Sequence, residues 1–167
     1  MKSATNPIHI RWLIRRDLDR VLQIERASFR NPWNIGDFYA ILKHRTVTGI
    51  VAEAESSGLV VGYAVYDMRP DRIELINLAV DPDYRLRWIG TQLVWQLHDC
   101  CLRGRRNLIR ARVSERNLGA QLFFRVRGFV ATSIEREPYG EADHDAYRMD
   151  YTVAAFGGRF TSTMKGS

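Results

Sequence analysis

From Ile73 to Gly104 the chain passes from a nearly unbroken apolar run through a basic loop into an amphipathic stripe, and this succession limits the fold more than any other feature of the sequence. Only Glu74 and Asn77 interrupt the apolar run over residues 73–80, which predicts a central strand buried on both faces. The run ends at Asp81-Pro82-Asp83-Tyr84. After Arg85-Leu86-Arg87-Trp88, residues Ile89, Leu93, Val94, Leu97 and Cys101 fall on one stripe of a helix that closes at Gly104. A buried strand handing over to a helix in this way is a unit of a layered α/β domain.

The remaining segments fit around that unit. Residues 8–14 alternate and then turn apolar, as a half-buried strand does. Asp17 opens a helix in which Leu18, Val21, Leu22 and either Ile24 or Glu25 recur at helical spacing, and Pro32 stops it after Phe29-Arg30-Asn31. A second short helix is predicted over 35–43. Residues 48–54 and 59–68 are rich in β-formers, and the polar turn Glu55-Ser56-Ser57-Gly58 between them predicts a hairpin. Residues 107–113 predict a further strand. Residues 117–127 predict a helix with Leu118, Leu122 and Val126 on one face and Gly128 as its stop. A final strand pair, 129–135 and 147–153, flanks a polar loop at 136–146. No repeat or linker divides the chain, so residues 8–153 are expected to form one domain between short tails at 1–7 and 154–167.

Composition narrows the function classes. With 46% hydrophobic residues, 167 residues suffice for one core. The 25 Lys and Arg against 19 Asp and Glu give a formal charge of +6, which suits an anionic ligand and equally suits a solvated basic face. Cys100 and Cys101, the only cysteines, are sequence neighbours and poorly placed to bridge or to build a metal site, so no metal and a reduced, cytoplasmic setting are expected. No apolar run approaches the roughly 20 residues that span a bilayer, and no membrane partner is expected. Nucleic-acid binding rests on charge alone and ranks last.

The basic loop carries the chemistry. Where a buried strand hands over to a helix, free backbone N–H groups and the positive helix end converge, and such a place binds anions. Arg85 and Arg87 would add charge-assisted contacts, and Gly90 would let a phosphate approach the backbone. The other interpretation is an ordinary solvated turn with an exposed basic face. The stretch Asn77-Leu78-Ala79-Val80-Asp81-Pro82-Asp83-Tyr84-Arg85, followed by Ile89-Gly90-Thr91-Gln92-Leu93, resembles the acetyl-CoA signature of GNAT acetyltransferases. That signature is a strand, then (Arg/Gln)-x-x-Gly-x-(Gly/Ala), then a helix. Ile24-Glu25 through Asn31-Pro32-Trp33, and Asn117 through Gly128-Phe129, resemble the corresponding segments of the enzymes that acetylate ribosomal-protein N-termini, the RimI type. The resemblance covers roughly residues 8–153.

The resemblance implies an α/β (α+β) GNAT fold, a central mixed and mostly antiparallel sheet of about seven strands flanked by about four helices. It implies a sheet split into a V between its fourth and fifth strands, with the pantetheine of acetyl-CoA in the gap. The cofactor contacts it implies are Leu78, Ala79, Val80, Arg85, Leu86, Arg87, Trp88, Ile89, Gly90, Thr91 and Asn117. One departure lies inside the signature: Trp88 stands where the first glycine is expected. If the loop needs positive φ there, a tryptophan strains it, or else the loop is reshaped.

Two further departures touch proton transfer. The RimI-type pattern has a glutamate on the fifth strand and a tyrosine in the following helix, and Arg112 and Phe124 hold those places here. Guanidinium stays protonated and phenyl has no proton to give. Glu74 is the substitute base, on the strand where histone-type GNAT enzymes carry theirs; by strand parity it shares a face with Ile76, Leu78 and Val80. Pairing with Arg72 or Arg112 is the alternative. Tyr139 and Tyr147 are the candidate acids, and Trp33, Tyr66 and Tyr139 the candidate lining of the acceptor mouth. The expected reaction is direct acetyl transfer from acetyl-CoA to an amine, with a protein N-terminus favoured. An α-amine has a pKa of only about 7.7–8 and needs little help to lose its proton. A CoA-binding or interaction module with weakened turnover and a small-amine acetyltransferase are the alternatives, and a homodimer is left open.

Overall fold

The computed structural model describes residues 7–136 and 145–154. Seven strands form one sheet in the order β1-β2-β3-β4-β5-β7-β6: β1 (Ile8–Trp12), β2 (Val47–Ala54), β3 (Leu59–Met68), β4 (Arg72–Val80), β5 (Leu108–Ser114), β6 (Val130–Glu135) and β7 (Ala146–Thr152). Only β4 and β5 are parallel, as a strand–helix–strand crossover requires. The four helices are α1 (Leu18–Ser28), α2 (Ile35–Leu42), α3 (Ile89–Arg103) and α4 (Leu118–Val126). Asn34 caps α2 by accepting from the Asp37 N–H, and Asn117 caps α4 by accepting from the Ala120 N–H. Gly58, at φ +68°, closes the β2–β3 hairpin.

Helices cover the sheet on both faces. On one side Leu93, Val94, Leu97 and Cys101 of α3 and Phe124 of α4 pack against Tyr66, Ile73, Leu75, Ile109 and Val113. On the other, Leu18, Val21, Leu22 and Ile24 of α1 and Phe38 of α2 pack against Val51, Tyr63 and Val65.

Three expectations need correction. The stripe Leu118, Leu122 and Val126 is exposed; α4 instead turns Ala120, Phe123 and Phe124 to the core, where the aromatic rings bury more apolar area. The strand β4 is central, but only Ile73, Leu75, Asn77 and Ala79 are buried, and Glu74, Ile76, Leu78 and Val80 are half-buried. The reason is that β5 accompanies it only over Arg72–Leu75, paired with Leu108–Ala111, after which the two strands part. Strand parity also fails within β4. Tyr66 pairs with Leu75 but Val65 pairs with Asn77, so Ile76 is an extra residue, a β-bulge. Leu78 and Val80 therefore lie on the α3 face with Ile73 and Leu75, whereas Glu74 lies on the α1 face, opposite Asp67.

Candidate active site

The parting of β4 and β5 leaves residues 76–80 and 112–114 as facing strand edges with no β4–β5 pairing between them. Such edges offer backbone N–H and C=O groups to an amide-bearing arm, which can lie between them as an added strand does. The amino end of α3 closes the top of this gap. In its first turn the N–H groups of Ile89, Gly90 and Thr91 have no helical acceptor, and the ladder begins with Gln92 N–H to Trp88 O at 3.0 Å.

The loop before α3 has left-handed backbone at two non-glycine residues. Trp88 adopts φ +63°, ψ +10°, and Leu86 adopts φ +60°, so the tryptophan holds a conformation that favours glycine. Both side chains are turned outward; Leu86 is fully exposed and Trp88 is 58% exposed. The start of the loop is tied down. Asp81 accepts from the Asp83 N–H at 2.9 Å and pairs with Arg20. Arg85 donates to Val80 O at 3.1 Å and to Ser28 Oγ at 3.2 Å, and the Arg87 guanidinium lies 5.1 Å from the Tyr84 ring. Both arginines belong to the loop that leads to the free amides, and Arg85 already has partners. Behind the loop, a Cβ on Gly90 would come within 2.9 Å of the Phe123 ring. The Arg127 guanidinium stacks over that ring at 3.6 Å and donates to Thr91 Oγ1.

The loop carrying Trp33 is built on Glu25, which the sequence marked as a helical position and as part of the RimI-like segment from Ile24 to Trp33, without a role of its own. It is 1% exposed. Its carboxylate accepts from the Trp33 N–H at 2.9 Å, from Asn77 Nδ2 at 3.1 Å and from the Tyr63 hydroxyl. Burial and then the Glu25 charge push the Tyr63 phenol well above its ordinary range, so it remains a donor. Trp33 is half-buried, edge-on to Phe38 at 5.2 Å, and Phe38 is edge-on to Tyr63 at 5.9 Å.

The remaining expected site residues scatter. Glu74 accepts from Arg72 Nε at 2.9 Å and Arg72 Nη2 at 2.8 Å, at the closed end of the gap, in register with Arg110. Tyr147 packs toward the α3 and α4 face, so it and Glu74 lie on opposite faces of the sheet. Tyr66 is fully buried under α3, its hydroxyl 3.9 Å from Cys100 Sγ, and cannot line an acceptor mouth; its long side chain fills the core instead. Tyr139 lies outside the described residues. Asn117 spends its side-chain oxygen on the α4 cap. Arg112 pairs with Glu135 at 2.8 Å, and Arg148 pairs with the same carboxylate. Phe124 is buried between Phe123 and Phe129. Burial pushes the Cys101 thiol up to about 11, so it is no nucleophile near neutrality.

Comparison with known proteins agrees with this fold. Residues 18–129 match the Acetyltransferase (GNAT) family. The chain is 31% identical over 157 residues to the N-alpha-acetyltransferase RimI of Mycobacterium tuberculosis, covering 89% of this chain and 95% of the relative. The crystal structure of the ribosomal-protein-S18-alanine N-acetyltransferase from Escherichia coli superposes with a TM-score of 0.79 at 23% identity, covering 92% of this chain and 98% of that one. Ard1 from Thermoplasma volcanium gives the same TM-score at 22% identity, covering 88% and 98%.

Proposed function

The chain belongs to the GNAT acetyltransferase family, and from that premise we propose that it transfers the acetyl group of acetyl-CoA to the α-amine of a protein N-terminus. It is an acetyl-CoA-dependent N-acetyltransferase; the choice of acceptor is our inference. The observation that carries it is the opening of β4 from β5 beneath the free amides of α3. The gap is suited to the pantetheine arm and the helix end to the pyrophosphate. The relatives' preference for protein N-termini supports the acceptor class.

In this assignment the neutral amine attacks the thioester carbonyl carbon, the C–S bond breaks, and coenzyme A leaves as a thiol once the ammonium proton has passed to it. A backbone N–H on the open edge of β4, among Leu78, Ala79 and Val80, stabilises the oxyanion. Leu86 to Thr91 hold the phosphates with Arg85 and Arg87 nearby, and Trp33 borders the acceptor. Since an α-amine of pKa about 7.7–8 is partly neutral at pH 7, positioning supplies most of the acceleration. Glu74 is the carboxylate proposed to take up the proton, and Tyr147 and Tyr139 are the hydroxyls proposed to return it.

Thiol release from acetyl-CoA, followed with a panel of peptides, tests the assignment. Peptides with a free N-terminal alanine are the first acceptors to try, since the Escherichia coli structural neighbour is named for one. Turnover with free peptides and none with N-terminally blocked ones is the expected result. Binding of acetyl-CoA without thiol release on any acceptor would overturn it in favour of a CoA-binding module.

A further inference from the structure

Glu25 is nearly inaccessible and pairs with no Lys, Arg or His among the described residues. Burying a carboxylate is costly unless hydrogen bonds replace its water, and here three donors do so. Those donors belong to three different parts of the molecule: the loop between α1 and α2, the middle of β3, and β4 one residue beyond its bulge. The Trp33 N–H is a loop amide that no turn or helix would otherwise satisfy. Asn77 lies in the stretch of β4, residues 76–80, that has lost β5 as its neighbour. The carboxylate thus joins the loop bordering the acceptor to the strand edge proposed to meet the reacting carbonyl. Packing reinforces the connection, because the edge-on rings of Trp33, Phe38 and Tyr63 lead back to the same carboxylate.

We propose that Glu25 is a positioning residue for acceptor use, holding the Trp33 loop against the open half of β4 so that the acceptor amine meets the thioester at the right distance. This rests on the acetyl-transfer assignment above and extends it. Glu25 does not touch the reacting atoms. Its loss should therefore impair the acceptor step and spare acetyl-CoA binding, which depends on the far side of β4 and on α3.

The test compares Glu25→Met, Glu25→Gln and Tyr63→Phe with the wild type. The methionine keeps the volume and removes the acceptor atoms; kcat/KM for an N-terminal peptide should fall on the order of 100-fold, the effect of a roughly 1 Å misplacement, while the acetyl-CoA dissociation constant stays within about twofold. Glutamine should recover most of the loss, because the Asn77 amide and the Tyr63 hydroxyl can turn to present oxygens to it. Tyr63→Phe, which keeps the ring packing, should lose several-fold and serves if the methionine variant does not fold. Hydrogen exchange at the Trp33 amide gives a readout independent of any acceptor: it should quicken at least about tenfold in the methionine variant or, if that does not fold, to a lesser extent in Tyr63→Phe, with α3 amides unchanged. Unchanged exchange at Trp33, or acceptor and acetyl-CoA affinity falling together, would overturn the proposal. If the wild type uses none of the peptides, the acceptor assignment fails, and the exchange data still decide whether Glu25 holds the loop.

Discussion

Residues 81–88 lead into α3 and residues 29–34 lead toward α2, and the two connections, which we propose border the two substrates, are fixed by different physics. The acceptor-side loop is anchored by a buried carboxylate with three donors and by a run of edge-on rings. The cofactor-side loop is pinned at its start by Asp81 and Arg85, but its last turn depends on Leu86 and Trp88 holding left-handed backbone while their side chains face solvent. The first arrangement is over-determined and should be rigid. The second carries strain with little packing to oppose it, which suits a segment whose bonding is completed by an anionic ligand.

The sharpest way to separate the two is Gly90→Val. A Cβ there would lie 2.9 Å and 3.1 Å from atoms of the Phe123 ring and 3.7 Å from Val80 Cγ2. The ring cannot swing away cheaply, since Arg127 stacks on it and is itself tied to Thr91 and to Phe123 O, and the ring packs edge-on against Phe124. Displacing the first turn of α3 should weaken acetyl-CoA binding about 100-fold by calorimetry, roughly 2.7 kcal/mol. Exchange at the Trp33 amide should not change. A parallel change there would show that the two loops are not independent.

Glu74→Gln probes the acceptor side with a smaller effect. If Glu74 takes up the proton, kcat/KM should fall about tenfold at pH 7 and recover toward the wild-type value by about pH 9, where an α-amine of pKa about 7.7–8 is neutral without help. A deficit that is the same at both pH values would mean that Glu74 only pairs with Arg72.

These contrasts also mark what the sequence could disclose. Apolar periodicity and turn residues located the seven strands and four α-helices to within about three residues, because Pro32, Gly58, Gly104 and Gly128 punctuate patterns dictated by one core. Trp88, singled out as a misfit in the signature, holds left-handed backbone. The bulge at Ile76 was not visible, because a run apolar on both faces of the strand has no alternation that could show a skipped partner; that skip put Glu74 on the other face from Leu78 and Val80. Periodicity also misassigned Leu118, Leu122 and Val126, since a stripe has the same spacing whether it meets the core or solvent. Glu25 stood in a RimI-like segment, but nothing in the sequence showed its partners. Its proposed role depends on Tyr63 and Asn77, 38 and 52 residues away, and such a meeting is set by the tertiary fold.

The smallest expected effect bears on the strained half of the comparison. A non-glycine residue in left-handed backbone costs about 1–2 kcal/mol, and glycine returns about 0.4–1 kcal/mol of that as freedom in the unfolded chain. Leu86 is fully exposed and loses no packing on replacement, so Leu86→Gly should be stabilising by about 0.5–1 kcal/mol, which at this chain length raises Tm by about 1–4 °C. Trp88→Gly gives up the covered part of a 58%-exposed ring and should gain less. The strain lies in the backbone and both side chains face solvent, so relief should appear in Tm, with the acetyl-CoA dissociation constant moving less than about threefold in either variant. A tenfold tightening in Trp88→Gly with no change in Tm would instead make the indole an obstruction to the cofactor; a tenfold weakening would make it a contact. Either result would shift the contrast between the loops from backbone strain to side-chain contact.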